Sequence, residues 1–159
     1  MDILEDHDIL DIRKVFFATD FSRHGTQGFR YAITFAKHFG ARLYIFHAIS
    51  LQPTIPAADP TGGVALTDYI DVLEEESKAR LSGMLKQAES HGVEAETLLA
   101  EGPPHKAAIR EAERVEADLI VVCTHGRTGV EHFLLGSTAE KIIRQSPIPV
   151  LVVRGPMHT

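Results

Sequence analysis

The chain has 159 residues, 44% of them hydrophobic, which is enough for one well-buried core and short of two. A formal net charge of −6 offers no basic face to nucleic-acid phosphates and repels anionic membranes. A single cysteine, Cys123, excludes an intramolecular disulfide and points to a reducing compartment.

Met1 to Asp11 forms an acidic leader carrying Asp2, Glu5, Asp6, Asp8 and Asp11, without the positive and apolar regions of a secretory signal. No apolar run approaches the roughly 18 to 20 residues of a membrane-spanning helix. The expectation is a soluble, cytoplasmic protein with one domain over residues 12–155.

Val15-Phe16-Phe17-Ala18-Thr19 suits a strand buried on both faces of a parallel sheet, ending at Asp20. Phe29, Ile33, Ala36 and Phe39 then fall at helical spacing, with Ser22 and Thr26 as candidate caps and Gly40 as the stop. Leu43-Tyr44-Ile45-Phe46 predicts a second strand, running out through His47-Ala48-Ile49-Ser50 into a loop with Pro53, Pro56, Pro60, Gly62 and Gly63. A long helix is predicted from about Leu66 to His91, with Leu73, Leu81, Met84, Leu85 and Ala88 inward and Glu74-Glu75-Glu76 outward, closed by Gly92. Val93, Ala95, Thr97 and Leu99 alternate as a strand; after Gly102-Pro103-Pro104 a helix runs from His105 to about Val115. Asp118 to Val122 reads as a strand, Ser137 to Gln145 as a helix, and Val150 to Val153 as the last strand.

Five apolar strands alternating with four helices predict a doubly wound α/β fold of the Rossmann-like kind, a five-stranded parallel sheet with helices on both faces. In such sheets ligands bind beyond the carboxyl ends of the strands, where the strand order reverses. The loops after the first and fourth strands are therefore the places to look for chemistry.

The loop from Cys123 to Thr138 concentrates glycines, hydroxyls and one cation, Arg127. Gly126 and Gly129 let backbone amides approach an anion, and Gly136-Ser137-Thr138 lies at a helix start whose amides lack intrahelical acceptors. The same residues also suit a turn and an ordinary cap. Neither a Gly-x-x-x-x-Gly-Lys-Ser/Thr loop nor a Gly-x-Gly-x-x-Gly turn is present.

Val15 to Ser22, Thr124 to Gly129, Leu134 to Glu140 and Ser146 to Val153 together resemble the universal stress protein family, over a span from about Arg13 to Arg154. The nucleotide-binding branch of that family carries a glycine, two residues, a second glycine, nine residues, then glycine with serine or threonine. Gly126 and Gly136-Ser137 fall on the second and third positions, and Cys123 stands on the first. A cysteine there is accommodated where its backbone angles are ordinary and strained where positive φ is required.

The resemblance implies an adenine nucleotide, ATP or else ADP or AMP, with magnesium as its accompanying ion. It implies Asp20 on the ribose, a residue among Phe46, His47 and Ala48 (Ala48 being preferred) against the adenine, and Gly126, Arg127, Gly129, Gly136, Ser137 and Thr138 around the phosphates. It further implies a stress-response regulator that forms a homodimer through Val150 to Val153 and acts on a regulatory protein partner. The competing readings are a nucleotide-independent scaffold of the same fold and a weak ATPase; catalytic residues are not expected. The nine histidines form no His-x-x-x-His pair, and Ser137, His125 and Asp20 lack the Gly-x-Ser-x-Gly turn of a hydrolase. His125 and His132 read as turn and surface residues, and Cys123 as packing in preference to a redox sensor.

Overall fold

The computed structural model describes residues 10–50, 66–124 and 135–155. The apolar runs form one parallel sheet: β1 (Lys14–Ala18), β2 (Arg42–Ile49), β3 (Ala95–Glu101), β4 (Leu119–Cys123) and β5 (Val150–Val153). Between them lie α1 (Gly25–Phe39), α2 (Leu66–Ser90), α3 (Pro104–Arg114) and α4 (Ser137–Gln145). The strand order is β3-β2-β1-β4-β5. The chain thus winds outward from β1 to β3, crosses back, and winds the other way through β4 and β5. β1 and β4 pair through Val15↔Leu119 and Phe17↔Val121, and the order reverses between them.

Successive strand residues point to opposite faces, so a continuous apolar run supplies two cores at once. Val15, Phe17, Leu43, Ile45 and Val121 pack with Phe29, Ala32 and Ala36 of α1 and Leu81 and Ala88 of α2. Phe16, Tyr44, Phe46, Ile120 and Val122 pack with Ala107, Ala108 and Ala112 of α3 and Ala139 and Ile142 of α4. Small residues on α3 let that helix lie close to the sheet. At the opposite edge from the strand ends that matter below, Asp118 Oδ2 accepts the amides of Arg13 (2.8 Å) and Lys14 (2.9 Å), fixing where β1 begins beside β4.

Several details depart from the sequence reading. Phe39, placed inward by its spacing, is 41% exposed and lies against Phe35 on the outer side of α1. Thr26 is an exposed helical residue and caps nothing; Ser22 instead accepts the Gly25 amide at 3.2 Å, just before the helix. β2 continues through His47 to Ile49 because the His47 ring is itself buried. β3 does not divide into an inner and an outer face: Ala95 and Leu99 meet one core while Leu98 and Ala100 meet the other. The loop from Pro53 to Gly63 lies outside the described residues.

α2 is long for its sheet. Its 25 residues span about 37 Å at helical rise, against about 26 Å for the 8 residues of β2. Leu81, Met84 and Ala88 pack on the sheet. The amino-terminal half extends past the carboxyl edge of the strands.

Candidate functional site

Beyond the carboxyl ends of β1, β2 and β4 lies a cavity of about 650 Å³, within the range of small-molecule sites. Its floor is built by the turn after β1. Asp20 Oδ1 accepts the Ser22 amide (2.9 Å), and Thr19 Oγ1 accepts the Phe21 amide (3.0 Å). The turn holds Phe21 at φ 59°, a left-handed conformation that costs a non-glycine residue about 1–2 kcal/mol.

Compensating contacts surround the Phe21 ring. The His47 ring lies 4.2 Å away centroid to centroid, and the Arg80 guanidinium carbon stands 5.5 Å from the Phe21 centroid. Each contact is worth about 0.5–1 kcal/mol, the same size as the strain. His47 Nδ1 lies 2.8 Å from the Thr19 carbonyl oxygen. A carbonyl only accepts, so Nδ1 carries the proton.

These bonds separate the three candidates at the end of β2. Phe46 is buried and stacked on Phe16 at 5.3 Å, and His47 faces the α1 and α2 side beneath Phe21. Ala48 faces the α3 and α4 side, where its small side chain leaves room in the cavity wall.

The wall nearest β4 and β5 is the start of α4. The Gly136 amide donates to Thr124 O (2.6 Å) and the Thr124 amide to Val153 O (3.0 Å), anchoring the helix start to the ends of both strands. Gly136 occupies the cap position at φ −58°, ψ 145°, and no side chain caps the helix. The amides of Ser137, Thr138 and Ala139 therefore have no intrahelical acceptor, and all three residues line the cavity. Such an end attracts an anion. His105, at the start of α3, is held below the ordinary imidazole range, first by burial and then by Lys141 and Lys106.

Cys123 lies in β4, and the non-glycine residues with positive φ among those described are Phe21 and Glu116. Its backbone is thus ordinary. The thiol packs on the α1 side of the sheet, donating to His24 O at 3.3 Å. A Cβ on Gly28 would stand 2.4 Å from Sγ, so the glycine in α1 makes space for the thiol. Burial, with a smaller contribution from Asp20, pushes the thiol pKa up to about 11, which keeps it protonated and unreactive at neutral pH.

Of the residues expected at the site, Asp20, Ala48, Cys123, Gly136, Ser137 and Thr138 all line this one cavity. Gly126, Arg127 and Gly129 lie outside the described residues, as do His125 and His132. The sequence reading missed the wall supplied by α2: Tyr69, Leu73, Glu76, Ser77 and Arg80. Glu76 is exposed, as its assignment to a solvated face has it, and also lines the cavity. Their spacing of i, i+4, i+7, i+8 and i+11 is the signal that marks one helix face.

The model of the universal stress protein family matches residues 11–154. The chain is 36% identical to the universal stress protein MJ0531 of Methanocaldococcus jannaschii over 144 residues, covering 91% of this chain and 83% of that one. Its fold is similar to that of MJ0577, with a TM-score of 0.80 at 24% identity over 92% of this chain and 99% of that one. It is also similar to a universal stress protein solved in complex with cAMP (TM-score 0.66, 24% identity, 91% and 98% covered). A universal stress protein from Archaeoglobus fulgidus in complex with dAMP is similar too (TM-score 0.63, 23% identity, 90% and 98% covered).

Proposed function

The chain belongs to the universal stress protein family, and from that premise we propose that it is a cytoplasmic adenine-nucleotide-binding regulator of a stress response. The observation that carries this reading is the uncapped start of α4 opening on the same cavity as Asp20 and Ala48, at the reversal point of the sheet. The three features are spaced along the strand order β4, β1, β2, which matches the order phosphate, ribose, base. In this reading Ser137, Thr138 and the first amides of α4 take the phosphates, with Gly126, Arg127 and Gly129 completing that end. Asp20 accepts from ribose hydroxyls and the adenine lies against Ala48. In this reading Cys123, which also lines the cavity, stands where the family's first motif glycine falls, with its thiol turned toward α1 and donating to His24 O.

The cAMP and dAMP held by two structural neighbours are adenine nucleotides of the size this cavity takes. Magnesium would accompany a polyphosphate. Among the described residues no group of three His, Cys, Asp or Glu side chains is placed to hold a metal, so the ion would rest largely on the nucleotide. Residues 12–155 form the nucleotide-binding domain, preceded by the acidic leader 1–11. β5 is an edge strand rich in valine, and pairing with a second copy across it gives a twofold homodimer. Nucleotide occupancy would change the surface offered to a partner protein.

The test is to denature the protein as purified from cells, identify released nucleotide by mass, and titrate the stripped protein with ATP and AMP by calorimetry. Carry-over or rebinding is expected. If no nucleotide is released and none binds at millimolar concentration, the chain is a nucleotide-independent scaffold.

A further inference from the structure

In a chain of net charge −6, residues 21–43 carry Arg23, Arg30, Lys37 and Arg42 and no aspartate or glutamate. Arg42 is paired with Glu94 and Glu96, whereas Arg23, Arg30 and Lys37 have no carboxylate partner among the described residues. Arg30 and Lys37, seven residues apart on α1, stand within about 20° of one another and form an exposed basic ridge.

Beside this ridge runs an aromatic flank. Tyr31, Phe35 and Phe39 follow at i, i+4 and i+8; Tyr31 and Phe39 are 44% and 41% exposed, and Phe35 stacks on Phe39 at 5.8 Å. The flank continues the line of His24 and Gly28, which face Gly155 and Cys123, so it lies on the β4 and β5 side of the helix. An exposed apolar flank beside unpaired cations suits an acidic segment that also carries aliphatic side chains.

The chain itself supplies such a segment. Residues 1–9, outside the described residues, hold Asp2, Glu5, Asp6 and Asp8 together with Ile3, Leu4 and Ile9, and no lysine or arginine. Asp11 is already paired with Arg13 at 2.6 Å. The leader joins the described chain at Leu10, two residues before Ile12, which packs into the core cluster that holds Ala36 of α1 and Ala41 just after it. The Arg42 amide donates to Arg13 O (2.8 Å), so the leader enters beside the last turn of α1, which carries Lys37 and His38. Nine extended residues reach about 30 Å, and Tyr31 to Phe39 spans about 12 Å along the helix. Entry point, reach, charge and apolar content agree. We propose that residues 1–9 dock on the α1 face of their own copy, carboxylates toward Arg30 and Lys37 and aliphatic side chains on Tyr31, Phe35 and Phe39.

The test is carbodiimide cross-linking of the full-length protein, read by mass spectrometry of its digest. The reagent condenses a carboxylate with a touching lysine amine to an amide and takes up the water released. A bridge between residues 1–9 and Lys37 is expected. At about 1 M salt the screening length falls to about 3 Å, and the yield should drop several-fold. Arg30→Gln should lower it about 1.5- to 5-fold, the worth of one exposed ion pair. Tyr31→Ser combined with Phe39→Ser, which leaves every charge in place, should lower it at least as much. All three positions are exposed, so urea midpoints near that of the parent show that the fold is kept. Absence of a bridge to Lys37, bridges to Lys86, Lys106 or Lys141 in its place, or a yield that none of these changes alters would overturn the proposal. In a mixture of ordinary and isotope-labelled protein, bridged peptides of mixed label would assign the face to the leader of a second copy and overturn docking within one copy.

Discussion

Replacing Gly28 by alanine tests how the thiol of Cys123 is housed. By intrinsic propensity the change should help, since alanine is better than glycine in a helix interior by about 1 kcal/mol. The structure opposes this: the new Cβ would lie 2.4 Å from Cys123 Sγ and 2.9 Å from Phe17 Cε2, both in packed surroundings. Overpacking of this kind costs about 1–3 kcal/mol. The net expectation for Gly28→Ala is a loss of up to about 2 kcal/mol, read as a lower midpoint in urea with unchanged slope. Adding Cys123→Ala removes the sulfur, so the double variant should be more stable than the two single effects summed by at least about 1 kcal/mol. A Gly28→Ala protein more stable than the parent, or a cycle with no coupling, would refute the placement of the thiol against α1 and reopen the question of whether it narrows the cavity.

Asp118→Ala removes the acceptor shared by the Arg13 and Lys14 amides and should cost about 1–3 kcal/mol, measured by urea unfolding. Because the folded state raises the Cys123 pKa to about 11 from an ordinary value near 9, the unfolded chain loses this proton first. Stability should therefore fall as pH rises from about 9 to 11, and Cys123→Ala should remove that part of the slope in urea titrations at stepped pH. Asp20→Asn should weaken AMP binding about tenfold or more by calorimetry, since a carboxylate acceptor is lost from the ribose; unchanged affinity would move the ribose elsewhere. At β5, the carbonyls of Pro149 and Val153 bond toward β4, so the Val152 amide points to the open edge. Val152→Pro should leave the sheet intact and convert the proposed dimer to a 17.5 kDa species in sedimentation, whereas a dimer that persists places the interface off this edge.

The strands were legible because a strand covered on both faces must be apolar at nearly every position, and Val15 to Ala18 and Leu119 to Val122 are. The start of α4 was legible from Gly136-Ser137, and the reversal point followed from the alternation of elements. Less local facts were not. Which way Cys123 points depends on strand phase and on a glycine 95 positions earlier in another element. Phe21 gives no hint of its left-handed backbone, because the conformation is held by Thr19, His47 and Arg80, which only the fold brings together. The face of α2 that lines the cavity sets Tyr69, Glu76, Ser77 and Arg80 around Leu73, which alone of them was read as inward, and hydrophobic periodicity gives no sign that such a polar mixture lines a cavity. Phe39 shows the converse, an apolar residue at helical spacing that stays 41% exposed beside Phe35.

The length of α2 makes it a cantilever. It is clamped to the sheet at Leu81, Met84 and Ala88, while the groups that face the cavity stand on the projecting arm. Tyr69 lies about 18 Å along the axis from Leu81, so a tilt of about 5° at the clamp moves it by about 1.6 Å. At Ser77, about 6 Å from Leu81 along the axis, the same tilt gives about 0.5 Å. The mouth is thus adjusted more readily than the wall nearer the clamp, and the side chains of Leu81, Met84 and Ala88 tune a binding site that none of them touches.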